Sequence, residues 1–176
     1  MARKYTDNTI EHPEFSKNIG HLCAAWSHLE YITDRILWRV LKVNSRIGSM
    51  LTSSKDLGGR WNLIVNNAEP FVDEIEFSFF QKINTLIATV AIDRNIAVHG
   101  QILIHRDTRE AFAVVTRGKY ADKLNCIDLK KIQTVTVNIQ LLSQVAESIA
   151  RSHRWMVKEP DGEVNEDWAK PIEGFP

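Results

Sequence analysis

Cysteine is scarce in this chain of 176 residues. Cys23 and Cys126 alone are too few and too far apart for a disulfide framework or a zinc site with recognisable ligand spacing. An excess of one charge is also missing, since 22 Lys and Arg meet 22 Asp and Glu. That balance argues against a protein that wraps nucleic acid, which shows a frankly basic face. Its distribution is uneven. Residues 158–176 carry six acids (Glu159, Asp161, Glu163, Glu166, Asp167, Glu173) against Lys158 and Lys170, so this end is −4 and the rest is +4. Such a body can still touch a few phosphates. No run approaches the roughly 20 apolar residues of a membrane span. The opening MARKYTDNTIEHPEF has no apolar stretch of the kind a signal peptide carries. A cytoplasmic protein with no membrane partner is expected.

Proline and glycine are sparse, with five and eight copies, and three of the prolines lie in the acidic end. Long uninterrupted helices fit that scarcity. Phe15, Ile19, Leu22, Trp26, Leu29, Ile36 and Val40 recur at three- and four-residue steps, predicting a helix from Pro13 to about Val43. The stretch Asn44–Leu51 breaks the pattern. Thr52, Ser53 and Ser54 offer caps for a second helix, which Pro70 ends near Glu69. A third helix runs from about Asp73 to His99, with Gly100 as its C-terminal cap. The period then changes: QILIH and AFAVVTR, separated by RDTRE, predict a β-hairpin at about 101–117. GKYADKLN reads as a loop. Leu129, Ile132, Val135, Ile139, Leu142, Val145 and Ile149 restore the helical step from Asp128 to about Trp155. The expected fold is mainly α, a four- to five-helix bundle with one β-hairpin before the last long helix. Residues 1–12 form an extension, 13–157 the helical domain, and 158–176 a flexible acidic tail.

The third helix ends in DRNIAVHG, and its arginine is misplaced. At ~100° per residue, Ile83, Ile87, Val90, Phe80 and Val98 fall within about 40° of Arg94, so a cation stands at the centre of the main apolar arc. A buried guanidinium without a partner costs several kcal/mol. Glu30, itself inside an apolar sector of the first helix, is the acid expected to hold it. Asn95 and His99 lie on the adjoining arc. A second strip of Thr85, Ala88, Ile92 and Ile96 suggests a helix shared between its own core and a partner chain.

RNIAVHG resembles the Arg-Asn-x-x-x-His signature of the HEPN superfamily (higher eukaryotes and prokaryotes nucleotide-binding domains). AAWSHLEYITDRIL resembles the tryptophan-and-glutamate helix that precedes that motif in bacterial members. The resemblance covers the helices of residues 13–155, the hairpin excepted. It implies a homodimeric endoribonuclease that needs no metal or other cofactor, of the kind that serves as a toxin or phage-defence effector answering to an antitoxin or regulatory protein. By position, Arg94 and His99 would be catalytic and Asn95 would support them. The residue types suit this chemistry: an imidazole with an unperturbed pKa of about 6.5 accepts a 2′-hydroxyl proton, and a fixed guanidinium steadies phosphorane charge.

Plainer readings stand beside these. Arg94 and Glu30 can form a structural ion pair, and His99 can complement the helix dipole. The whole motif can serve a non-catalytic dimerisation module. Arg106, Arg109, Arg117 and Lys119 around the hairpin are candidate RNA contacts, but Asp107 and Glu110 among them fit an ordinary solvated turn. His21, Cys23 and His28 lack a fourth ligand and are scattered around the helix, so no metal site is expected. Trp26, Trp38 and Trp61 sit at core spacing, whereas Trp168 in the tail is an isolated aromatic able to dock on a partner. DLGGRW lacks the lysine-serine ending of a phosphate loop.

Overall fold

The structure, a computed structural model, describes residues 5–7, 12–105, 107–115 and 126–155. The protein is mainly helical. The described helices are α1 (Pro13–Val40), α2 (Ser45–Thr52), α3 (Leu57–Ala68), α4 (Glu74–His99) and α5 (Leu129–Ser152), with a single 3-10 turn at Glu69–Phe71. Between α4 and α5 lie β2 (Gln101–His105), β3 (Ala111–Val114) and β4 (Cys126–Asp128). β1 (Tyr5–Asp7) extends this sheet, whose order is β1-β2-β3-β4 with every pair antiparallel. The expected hairpin is β2–β3, with Ile102 opposite Ala113 and Ile104 opposite Ala111. The expected loop at GKYADKLN and the acidic tail with Trp168 lie outside the described residues.

Local chemistry sets the helix ends. α4 opens on a capping box: Glu76 N–H donates to Asp73 Oδ1 at 2.8 Å, and Asp73 N–H donates to Glu76 Oε2 at 3.2 Å. α5 opens on Asp128, whose Oδ1 accepts from Lys131 N–H at 2.7 Å. α3 starts later than Thr52–Ser54 suggested, because Asp56 takes the cap, accepting from Gly59 N–H at 2.8 Å. Gly58 and Gly59 therefore fall in the first turn of α3. α1 ends on a reciprocal pair of backbone bonds, Val43 N to Trp38 O at 2.9 Å and Lys42 N to Arg39 O at 3.1 Å. Lys42 there has φ 54°, a left-handed position that usually falls to glycine. α5 ends the same way, through Arg154 at φ 57°.

The expected break at Asn44–Leu51 is instead helix α2. Asn44 caps it by accepting from Ile47 N–H at 2.9 Å. Its packed positions are Gly48 and Thr52, while Ile47, Met50 and Leu51 are exposed. Gly48 has no room for a side chain, since an added Cβ would lie 2.3 Å from Trp38 Cδ1.

The chain packs as two compact units. One comprises Met1–Leu29 and Leu86–Leu142; the other comprises Glu30–Thr85 and Ser143–Pro176. In the first, Phe15, Leu22, Ala25, Trp26, Leu29, Ile87, Val90 and Ala97 are buried with Ile104, Ala113 and Ile127 of the sheet and Ile132, Val135 and Ile139 of α5. In the second, Trp61 is fully buried, donating from Nε1 to Thr33 Oγ1 at 2.9 Å and meeting Phe80 edge-on at 5.6 Å. His153 pairs there with Glu76 at 2.8 Å and stacks on Trp155.

Candidate site at the end of helix α4

Arg94, Asn95 and His99 occupy the last two turns of α4 and fall within the first unit. Phe80, Ile83, Ile87 and Val90 of the same helix are buried, and Arg94 continues that face as a half-buried cation. One guanidinium nitrogen, Nη1, donates to Asn95 Oδ1 at 2.9 Å and lies 3.3 Å from His99 Nε2. The three polar groups of the motif are thus one connected cluster. Arginine can only donate, so a hydrogen bond across this contact needs His99 Nε2 as its acceptor.

What holds Arg94 from behind is aromatic. Its guanidinium carbon lies 5.2 Å from the ring centroid of Trp26, which is 7% exposed. A cation over an indole face is attracted by the ring quadrupole, by about 2 kcal/mol or more where water is excluded. Glu30, expected as the partner of Arg94, belongs to the second unit and acts there on Asp34. Among the described residues, the hydrogen bonds of Arg94 go to Asn95 and His99, and its buried Nε has no partner. Trp26 was legible as a core residue, but not as the support of the arginine.

Asn95 and His99 are exposed, and they continue an exposed arc through Thr85, Ala88 and Ile92. Ile96, expected on that strip, is instead buried at 4% exposure. The arc is therefore a solvent-facing surface of small and apolar side chains ending in the polar pair. Beside it, Asp93 pairs with Lys131 at 3.0 Å.

Gly100 immediately follows His99, and close packing explains it. A Cβ there would lie 2.4 Å from Ile96 O, 3.0 Å from Val114 N and 3.1 Å from Val114 O, all backbone atoms. This glycine lets β2 leave the helix hard against β3. A left-handed cap conformation is not its reason, since the residues with positive φ other than glycine lie elsewhere and no such φ accompanies Gly100.

The other candidates are placed less informatively. Arg109 is exposed at the hairpin tip with φ 59°, its N–H donating to His105 O at 2.9 Å. Arg106, Arg117 and Lys119 lie outside the described residues. His21 and His28 are exposed and Cys23 half-buried, and no group of three or more His, Cys, Asp or Glu among the described residues is placed to hold a metal ion. No described helix is long and apolar enough to cross a membrane. In comparisons with known proteins, no family model, curated protein or solved structure matches the chain.

Proposed function

We propose that the chain is an endoribonuclease of HEPN type, acting without a metal and as a homodimer through the exposed face of α4. The observation that carries this reading is the shared Arg94 Nη1, within hydrogen-bonding distance of both Asn95 and His99. A cation fixed on Trp26 and an imidazole with an open outer face suit phosphoryl chemistry on RNA.

In the proposed reaction the ribose 2′-hydroxyl attacks the adjacent phosphorus. The O2′–P bond forms as the P–O5′ bond breaks. The 2′-hydroxyl proton passes to His99 Nε2, which must leave Arg94 to receive it. The freed guanidinium donors then face the non-bridging oxygens, whose charge grows in the transition state. O5′ leaves with a proton from solvent or from the second protomer's imidazole. The products are a 2′,3′-cyclic phosphate and a 5′-hydroxyl. Asn95 keeps Arg94 in its rotamer.

The exposed strip of Thr85, Ala88 and Ile92 supports the dimer, since Ala88 leaves room for a second helix and Ile92 offers it apolar surface to bury. Such a dimer would bring two copies of His99 near one twofold axis. A toxin or phage-defence role, with an antitoxin or regulator as partner, extends the same reading. A second reading, a non-catalytic dimerisation module, draws on the packing of Arg94 against Trp26, which also serves stability.

Incubating pooled RNA in EDTA with the wild type and with His99→Ala separates the two. New 5′-hydroxyl ends with the wild type alone, from a variant that stays folded and dimeric, are the expected result. Equal cleavage by His99→Ala would remove the enzymatic reading.

A further inference from the structure

A cavity of about 290 Å³ lies alongside the motif, within the first unit. It is lined by Ile92, Asp93 and Ile96 of α4, by Phe112 of β3, and by the β4–α5 junction with Asp128 and Lys131. Its α4 wall runs towards His99. At about 1.5 Å per residue, Ile96 is about 4.5 Å and Ile92 about 10.5 Å before His99 along the helix axis. Seven residues also return to nearly the same face, about 20° away, so Ile92 and His99 share one side of α4. That spacing suits a nucleotide next to the one being cut.

The lining selects which part of a nucleotide enters. Asp93, Asp128 and Lys131 carry one net negative charge, which repels phosphate. Ile92, Ile96 and the half-buried Phe112 offer an apolar bed for a flat ring. Asp93 is engaged by Lys131 at 3.0 Å. Asp128 is exposed, and the cap of α5 takes its Oδ1, at 2.7 Å from Lys131 N. The carboxylate of Asp128 therefore keeps acceptor capacity at the cavity rim. Guanine presents N1–H and the 2-amino group side by side, two parallel donors that one carboxylate accepts together. Adenine and cytosine each set a single amino group beside a ring acceptor, and uracil has one N–H.

We infer that this cavity is a base pocket for guanine in single-stranded RNA, flanking the bond cut at His99. The inference rests on the ribonuclease reading for its position but not for its binding chemistry. Two measurements keep them apart. The first is fluorescence anisotropy of the full chain carrying His99→Ala with labelled uridine pentamers holding one central guanosine or one central adenosine. Binding about 10-fold tighter or more to the guanosine pentamer is expected, the size of a good bidentate contact. In a second protein carrying both His99→Ala and Asp128→Asn, which keeps a competent N-cap, that preference should disappear while melting temperature is held. N-ethylmaleimide on the exposed Cys126, in a Cys23→Ser background, should abolish it without changing the pocket's sequence. The second measurement maps the ends that wild type makes in pooled RNA, where guanosine beside the cut is expected.

Equal binding of the two pentamers overturns the pocket, and so does a preference that survives both Asp128→Asn and alkylation. Guanosine-selective binding with no cleavage by wild type supports the pocket and removes the nuclease.

Discussion

Gly100→Ala tests the argument where fold and site meet. The added methyl would stand 2.4 Å from Ile96 O and 3.0 to 3.1 Å from the backbone of Val114. No flexible side chain is there to yield, so either the end of α4 or β3 must move until the closest contact exceeds 3.0 Å. Overpacking of this kind costs about 1–3 kcal/mol. At about 2–4 °C per kcal/mol for a chain of this size, the melting temperature should fall by about 2–12 °C. His99 precedes the strained residue directly, so displacement by even half an ångström spoils its 3.3 Å approach to Arg94. On the ribonuclease reading, cleavage should drop by up to about 100-fold. Gly20→Ala is the matched control. It lies within α1 with nothing within 4 Å of its Cβ position, and should stabilise by about 0.5–1 kcal/mol. Thermal melts of both variants, followed by circular dichroism, give the answer. A Gly100→Ala protein that melts at or above wild type refutes the close-approach account of this residue.

Two further outcomes follow from features away from the site. Lys42 and Arg154 hold left-handed backbone at their helix ends, so Lys42→Gly and Arg154→Gly should each raise stability by about 1 kcal/mol in urea unfolding; a loss in both would contradict the cap assignment. Burial pushes the Asp34 carboxyl above its ordinary 3.8, outweighing Arg60 3.2 Å away, and Glu30 adds to the rise. The folded state therefore binds that proton more tightly than the unfolded chain. The stabilisation is complete below pH 3.8 and lost as pH climbs through the raised folded value. Asp34→Asn should accordingly gain on wild type between pH 3.5 and 7, measured by urea melts at both ends; a gap that moves the other way counts against it.

The long helices were readable because their buried faces carry the apolar residues. Phe15, Leu22, Leu29 and Ile36 on α1, and Phe80, Ile83, Ile87 and Val90 on α4, are all buried as the periodicity required. α2 was missed because its pattern points outward: its large apolar residues, Ile47, Met50 and Leu51, face solvent, and its packed face is a glycine and a threonine. β1 spans three residues, too short for any alternation to register. At the site, spacing located Arg94, Asn95 and His99 together, and the structure connects them. One support of Arg94, the Trp26 ring, was not legible for a physical reason. A buried cation was expected to require an acid, but an indole face also receives one, and Trp26 looked like packing alone.

The three-residue strand at Tyr5–Asp7 has a practical side. It occupies one border of β2, whose sequence QILIH is largely apolar. Stripped of that cover, β2 would show unpaired N–H and C=O groups to any neighbouring chain, an invitation to strand addition and precipitation. Recombinant versions starting beyond Asp7 should therefore aggregate more readily, and affinity tags are safer fused through a spacer than abutting Tyr5.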